Sequence, residues 1–143
     1  MQPSATRRVQ IAVPAREPAF VSGRQTAARI LIVSGDPDLR AVLTRVLQQA
    51  GYLVDAAAHS GHALLLCRME SFDGLVAELC GPDISGPALA DQVRRHCPEI
   101  ATVYLGNPGT PEGVENLLVR PFTRDDLLDR LEAALVRERV PAR

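Results

Sequence analysis

Few residues of this 143-residue chain could do chemistry, and they gather at the ends of apolar runs. Glu78 lies in the run GLVAEL at residues 74–79. Asp36 and Asp38 follow ILIV at 30–33, with Ser34 and Gly35 in between. Gly106 follows TVYL at 102–105, and Arg120 follows NLLV at 116–119. A carboxylate in such a place can hold a divalent cation or accept a transferred group. A guanidinium fork suits a carboxylate, so Arg120 could pair with Glu78. Asp36 has another use, because its position before Pro37 suits a helix N-cap. Cys67, Cys80 and Cys97 are odd in number and show no CxxC spacing. They read as reduced thiols, not as a zinc site or a disulfide frame. Cys80, just past Glu78, is expected to be inert. His59, His62 and His96 make no ligand cluster by spacing, and His59 and His62 are expected on the surface near a helix start.

The elements that position these residues follow from periodicity. Residues 1–28 hold three prolines and no lasting pattern, and are expected to be a flexible leader or linker. Within them, VQIAV at 9–13 could add a short edge strand. ILIV is a continuous apolar run, as expected of a strand buried on both faces. Leu39, Leu43, Val46, Leu47 and Ala50 then repeat at helical spacing until Gly51. YLVDAA at 52–57 reads as a second strand and 62–70 as a second helix. GLVAEL is a third strand, followed by the turn-rich GPDISG and a helix over 86–96 that stops before Pro98. TVYL and NLLV are the fourth and fifth strands. Thr123 and Asp126 have capping-box spacing ahead of a last helix over 124–138 that buries Leu127, Leu128, Leu131 and Leu135. Strands alternating with helices imply parallel strands with right-handed crossovers, whose C-terminal ends converge on one crevice.

Composition narrows the function. Apolar residues make up 46% of the chain, enough for a full core. A formal net charge of -1 argues against a general nucleic-acid or membrane surface. No apolar run approaches the ~20 residues of a membrane span. Pro14, Arg16, Glu17 and Pro18 interrupt any signal-peptide core after Arg7 and Arg8. A cytoplasmic location is expected.

SGDPDLR, PDISG, VYLGN and RPFTRDDLL stand in an order and at intervals that resemble the receiver domain of two-component response regulators, including those attached to hybrid histidine kinases. The resemblance covers about residues 29–138, with 139–143 left as a short tail. It implies a flavodoxin-like, doubly wound five-stranded parallel sheet in the order 2-1-3-4-5, with helices on both faces. It also sets the candidate site against the family pattern. Ser34 and Gly35 stand where an acidic pair is usual. Glu78 stands where an aspartate accepts the phosphoryl group. Gly106 replaces a serine or threonine, and Arg120 replaces a lysine. The resemblance is thus to a degenerate pseudo-receiver, in which magnesium binding is expected to be lost or very weak and no other cofactor is implied. Glu78 keeps two readings: a built-in mimic of the phosphorylated state, or a polar residue tolerated once the metal is gone.

The connection GNPGTPEGV at 106–114 is too short and too rich in Gly and Pro for the family's fourth helix. That helix is expected to be shortened or absent. Its loss should bare apolar side chains of TVYL and NLLV and create an interaction surface, for a second copy or a kinase-side partner.

The leading functional expectation is a non-enzymatic, phosphorylation-independent signalling or protein-interaction module in a phosphorelay. Its partner would be a histidine kinase or another regulator, with no direct nucleic-acid or membrane contact. With no DNA-binding segment after Arg143, any transcriptional output is expected to run through a partner. One alternative is a phosphorylatable receiver using Glu78 or Asp36, against which the missing acidic pair and lysine argue. Another is a flavodoxin-like cofactor domain with Ser34-Gly35 in a phosphate loop. That loop is not Gly-rich, and Asp36 and Asp38 would repel phosphate.

Overall fold

The computed structural model describes residues 27–110 and 113–139. The possible strand at 9–13, nearly all of the expected leader and all but the first residue of the tail lie outside these residues. The first strand, β1, runs over Arg29–Val33 and is followed by helix α1, Pro37–Gln49. Strand β2 is Leu53–Ala57, α2 is Ser60–Met69, β3 is Gly74–Glu78 and α3 is Gly86–Val93. Strand β4 is Ala101–Gly106, β5 is Leu117–Val119 and α4 is Arg124–Arg139. The five strands are parallel and ordered β2-β1-β3-β4-β5, as expected.

Alternation along each strand divides the core in two. Ile30, Ile32, Val76, Val103 and Leu105 join Leu43 and Leu47 of α1 and Leu127, Leu131 and Leu135 of α4. Leu31, Val33, Leu75, Ala77 and Tyr104 join Ala63 and Cys67 of α2 and Leu89, Ala90 and Val93 of α3. Each face of the sheet is thus covered by two helices, which is why β1, β3 and β4 carry near-continuous apolar runs.

Local signals set most boundaries. Asp36 caps α1, accepting from the N–H groups of Asp38 at 2.9 Å and Leu39 at 3.3 Å, with Pro37 in the first turn. Ser85 caps α3 through Ala88 N–H. Helix α2 starts earlier than expected because His59 Nδ1 accepts from His62 N–H at 3.2 Å and serves as N-cap. Both histidines are exposed. Helix α3 stops at Val93, short of the expected residue 96, and a tightened turn then leads to Pro98.

Among the described residues no helix links β4 to β5. The expected bare sheet does not result. Val103 and Leu105 are buried, Tyr104 is 7% exposed and Leu118 6%, while Val114 and Leu117 pack against the Tyr104 cluster. Only Val119 of these strands remains well exposed. Val114 of the connection packs against that cluster and the strand side chains are buried, so the ground for expecting an apolar docking face or a homodimer there falls away.

Thr123 and Asp126 form a reciprocal box: Thr123 N–H donates to Asp126 at 2.9 Å, and Asp126 N–H donates to the Thr123 hydroxyl at 3.0 Å. The Thr123 N–H, followed by its hydroxyl, holds the Asp126 carboxyl below its ordinary value of 3.8. A lowered carboxyl stabilises the fold fully above its ordinary value and loses that contribution as pH falls through the lowered one. Melting curves from about pH 6 to about pH 2 should therefore show wild type losing stability more steeply than Asp126→Asn at the acid end. Parallel curves for the two proteins would exclude the box as an acid-labile contact.

Candidate functional site

The site lies where the strands end. Glu78 closes β3, Gly106 closes β4, Arg120 follows β5, and Ser34-Gly35-Asp36 joins β1 to α1. A cavity of about 320 Å³ is lined by Glu78, Cys80, Gly106, Asn107, Thr110 and Arg120, among others. A wider depression of about 450 Å³ lies away from the crevice, beside Cys67, Glu70 and His96, and none of the site positions lines it.

Both oxygens of Glu78 are engaged. Oε1 accepts from Gly35 N–H at 3.3 Å. Oε2 accepts from an Arg120 guanidinium nitrogen at 3.1 Å. The predicted Arg120–Glu78 pair therefore forms, and the same carboxylate also fastens the β1–α1 turn. Arg120 is further held through its backbone, whose N–H donates to Gly106 C=O at 2.9 Å. Its Nε is buried without a partner among the described residues.

The β1–α1 turn satisfies its own polar groups. Ser34 is fully buried, and its hydroxyl oxygen accepts from Asp36 N–H at 3.1 Å. Arg40 donates to Ser34 C=O at 2.8 Å, a contact with no signature in the sequence. Gly35 faces the β3–α3 loop, where a Cβ would come 3.1 Å from Pro82 Cβ. A carboxylate-bearing side chain at position 35 would thus press on Pro82.

This donor set does not fit a magnesium ion. Magnesium wants hard oxygens in octahedral array. Gly35 offers no side-chain oxygen, the Asp36 carboxylate caps α1, the Ser34 hydroxyl is turned to its own loop, and Glu78 is paired to a cation. Among the described residues no group of three His, Cys, Asp or Glu is placed to hold a metal.

The remaining candidates are structural. Asp83, missed in the sequence, lies in the β3–α3 loop and accepts from the Ser60 hydroxyl and Ser60 N–H at the start of α2. The Ser60 hydroxyl is the main reason its carboxyl is lowered. Burial, followed by the neighbouring Cys97, pushes the Cys67 thiol up to about 12, so it stays protonated and inert at neutral pH. Cys80 is exposed at the rim of the cavity. Tyr104 is ordinary packing: a Cβ on Gly86 would stand 2.8 Å from its ring, which explains a glycine at the α3 start.

The parallel order and the crevice at the strand ends define a doubly wound, flavodoxin-like fold. A model of the response regulator receiver domain matches residues 30–132, and the chain belongs to that family. It is 30% identical over 134 residues to the transcriptional regulatory protein TcrA of Mycobacterium tuberculosis, covering 88% of this chain and 53% of that protein. The chain spans about half the length of curated relatives that it matches. Among solved structures, a response regulator receiver protein from Sinorhizobium medicae superposes with a TM-score of 0.68 at 26% identity, over 78% of this chain and 97% of that one. The chemotaxis protein CheY4 of Vibrio cholerae gives 0.69 at 26% identity, over 76% and 99%. Among the described residues no helix is long and apolar enough to cross a membrane.

The Glu78–Arg120 pair is partly open to water, with side-chain exposures of 23% and 34%. Solvent screening then limits its worth to at most about 1 kcal/mol. Glu78→Gln keeps an acceptor for Gly35 N–H and removes the charge. Urea unfolding should show a loss of no more than about 1 kcal/mol for this variant. A loss several times larger would mean that the clamp is a main support of the fold.

Proposed function

We propose that this receiver domain acts as a phosphorylation-independent signalling module that binds a protein partner. The observation that carries the reading is the engagement of Glu78 at both carboxylate oxygens. In this reading, Arg120 and Gly35 N–H grip a permanent carboxylate, and the crevice holds one fixed arrangement. Phosphoryl transfer to a carboxylate also needs a cation to offset crowded negative charge, and the oxygens that could ligate it are committed elsewhere. The domain should accordingly bind magnesium very weakly. Its partner is proposed to be a histidine kinase or another regulator in the cytoplasm. Any effect on transcription, the role that the name of TcrA indicates, would run through that partner or through further sequence.

The direct test is incubation with acetyl phosphate and magnesium, followed by intact-mass analysis. Wild type should gain no phosphoryl adduct. Glu78→Asp should gain none either, because Ser34 and Gly35 still supply no acidic pair. A stable adduct mapped to Glu78 or Asp36 would overturn the proposal and make the domain a working phosphoacceptor. Partner affinity separates the two readings of Glu78. Weaker binding by Glu78→Gln supports a built-in mimic of the phosphorylated state, and unchanged binding supports a relic.

A further inference from the structure

Gly106 has no side chain, yet the space beside it is filled. A Cβ there would lie 2.9 Å from Thr110 Oγ1 and 2.9 Å from Leu117 Cδ1, closer than real Cβ atoms come. Thr110 is half-buried, and its hydroxyl donates to Asn107 C=O at 2.6 Å. The Thr110 N–H donates to the same carbonyl at 3.1 Å, closing residues 107–110 into a tight turn. Those four residues line the cavity that also contains Glu78 and Arg120. The turn is joined to the clamp through the backbone, since Gly106 C=O accepts from Arg120 N–H.

We propose that residues 107–110 form a strap over the crevice, latched by Thr110 in the notch that Gly106 leaves. The hydroxyl absent from the end of β4 is supplied from the connection instead. Gly106 is therefore what lets the hydroxyl seat there, because a serine or threonine at 106 would displace it. Seated, the strap walls one side of the cavity. Lifted, it widens the cavity toward Arg120, whose Nε has no partner among the described residues. A regulator that grips the strap would act on the Glu78–Arg120 clamp through Gly106. This route to the clamp rests on the function proposed above, whereas the latch itself rests on packing alone.

A double-mutant cycle on the full chain tests the latch, with amide exchange at residue 110 as the readout. Each rate is referred to the unfolded-chain rate and to the Ile32 amide in the core. Gly106→Ser should unseat Thr110 and speed exchange at residue 110 about tenfold or more relative to Ile32. Thr110→Ala in the Gly106→Ser background makes room for the serine. The double mutant should therefore be stabler than the two single effects predict, by a factor of about ten in the unfolding equilibrium. Leu117 Cδ1 is the end of a flexible side chain and can turn aside. Thr110→Ser keeps the hydroxyl and should leave exchange near wild type.

If Gly106→Ser does not fold, recovery of folding in the double mutant is the same result in stronger form. Unchanged exchange in Gly106→Ser, additive effects in the cycle, or a double mutant that also fails to fold would each overturn the latch. Phosphorylation plays no part in these readouts, so a phospho-adduct in the mass experiment would remove the functional reading and leave the latch standing.

Discussion

A parallel sheet covered on both faces leaves its polar groups one place to gather, the open ends of its strands. The rest of this domain follows from that constraint. Strands β1, β3 and β4 are apolar along nearly their whole length, and Ser34 and Thr102 are the only buried polar residues among those described. In β3 charge is admitted only where the strand stops. Glu78 stops β3 and Arg120 follows β5, so the sheet order sets them across one crevice with β4 in between. Glu78 is partly desolvated and must be paired or hydrogen-bonded. It is both, and in that way it draws the β1–α1 turn and the end of β5 together.

The residues at the crevice are consistent with one another. Gly35 lets Pro82 approach, and Asp36 is spent on capping α1. The longer reach of glutamate at position 78 spans to both Gly35 N–H and Arg120. The Arg120 guanidinium gives that carboxylate a directed donor. None of these contacts is strong alone. Together they tie the β1–α1 turn and the residue after β5 to the end of β3.

The β4–β5 connection shows how packing corrects an argument from length. A short, Gly- and Pro-rich crossover cannot carry a helix, and among the described residues it carries none. Apolar side chains on β4 and β5 still have to be removed from water. Val114 and Leu117 pack against the cluster that contains Tyr104, and Thr110 fills the space beside Gly106. A bare face inferred from a missing helix overlooked that a loop of this length can fold back on the sheet.

The sequence by itself determined the strand and helix order, the parallel topology and most caps, because these depend on periodicity and on residues a few positions apart. Asp36 before Pro37, and Thr123 with Asp126, are legible for that reason. It also placed Ser34, Gly35, Glu78, Gly106 and Arg120 at strand ends, since strand ends can be counted along the chain. Only the tertiary structure decided what those residues touch. Asp83 on the start of α2 and Pro82 against Gly35 bring together elements far apart in the chain, and even the near pairs Arg40–Ser34 and Thr110–Gly106 follow no capping or periodic pattern. Such contacts arise from the side-chain volumes and hydrogen-bond directions that remain once the sheet has closed, and periodicity carries no record of either.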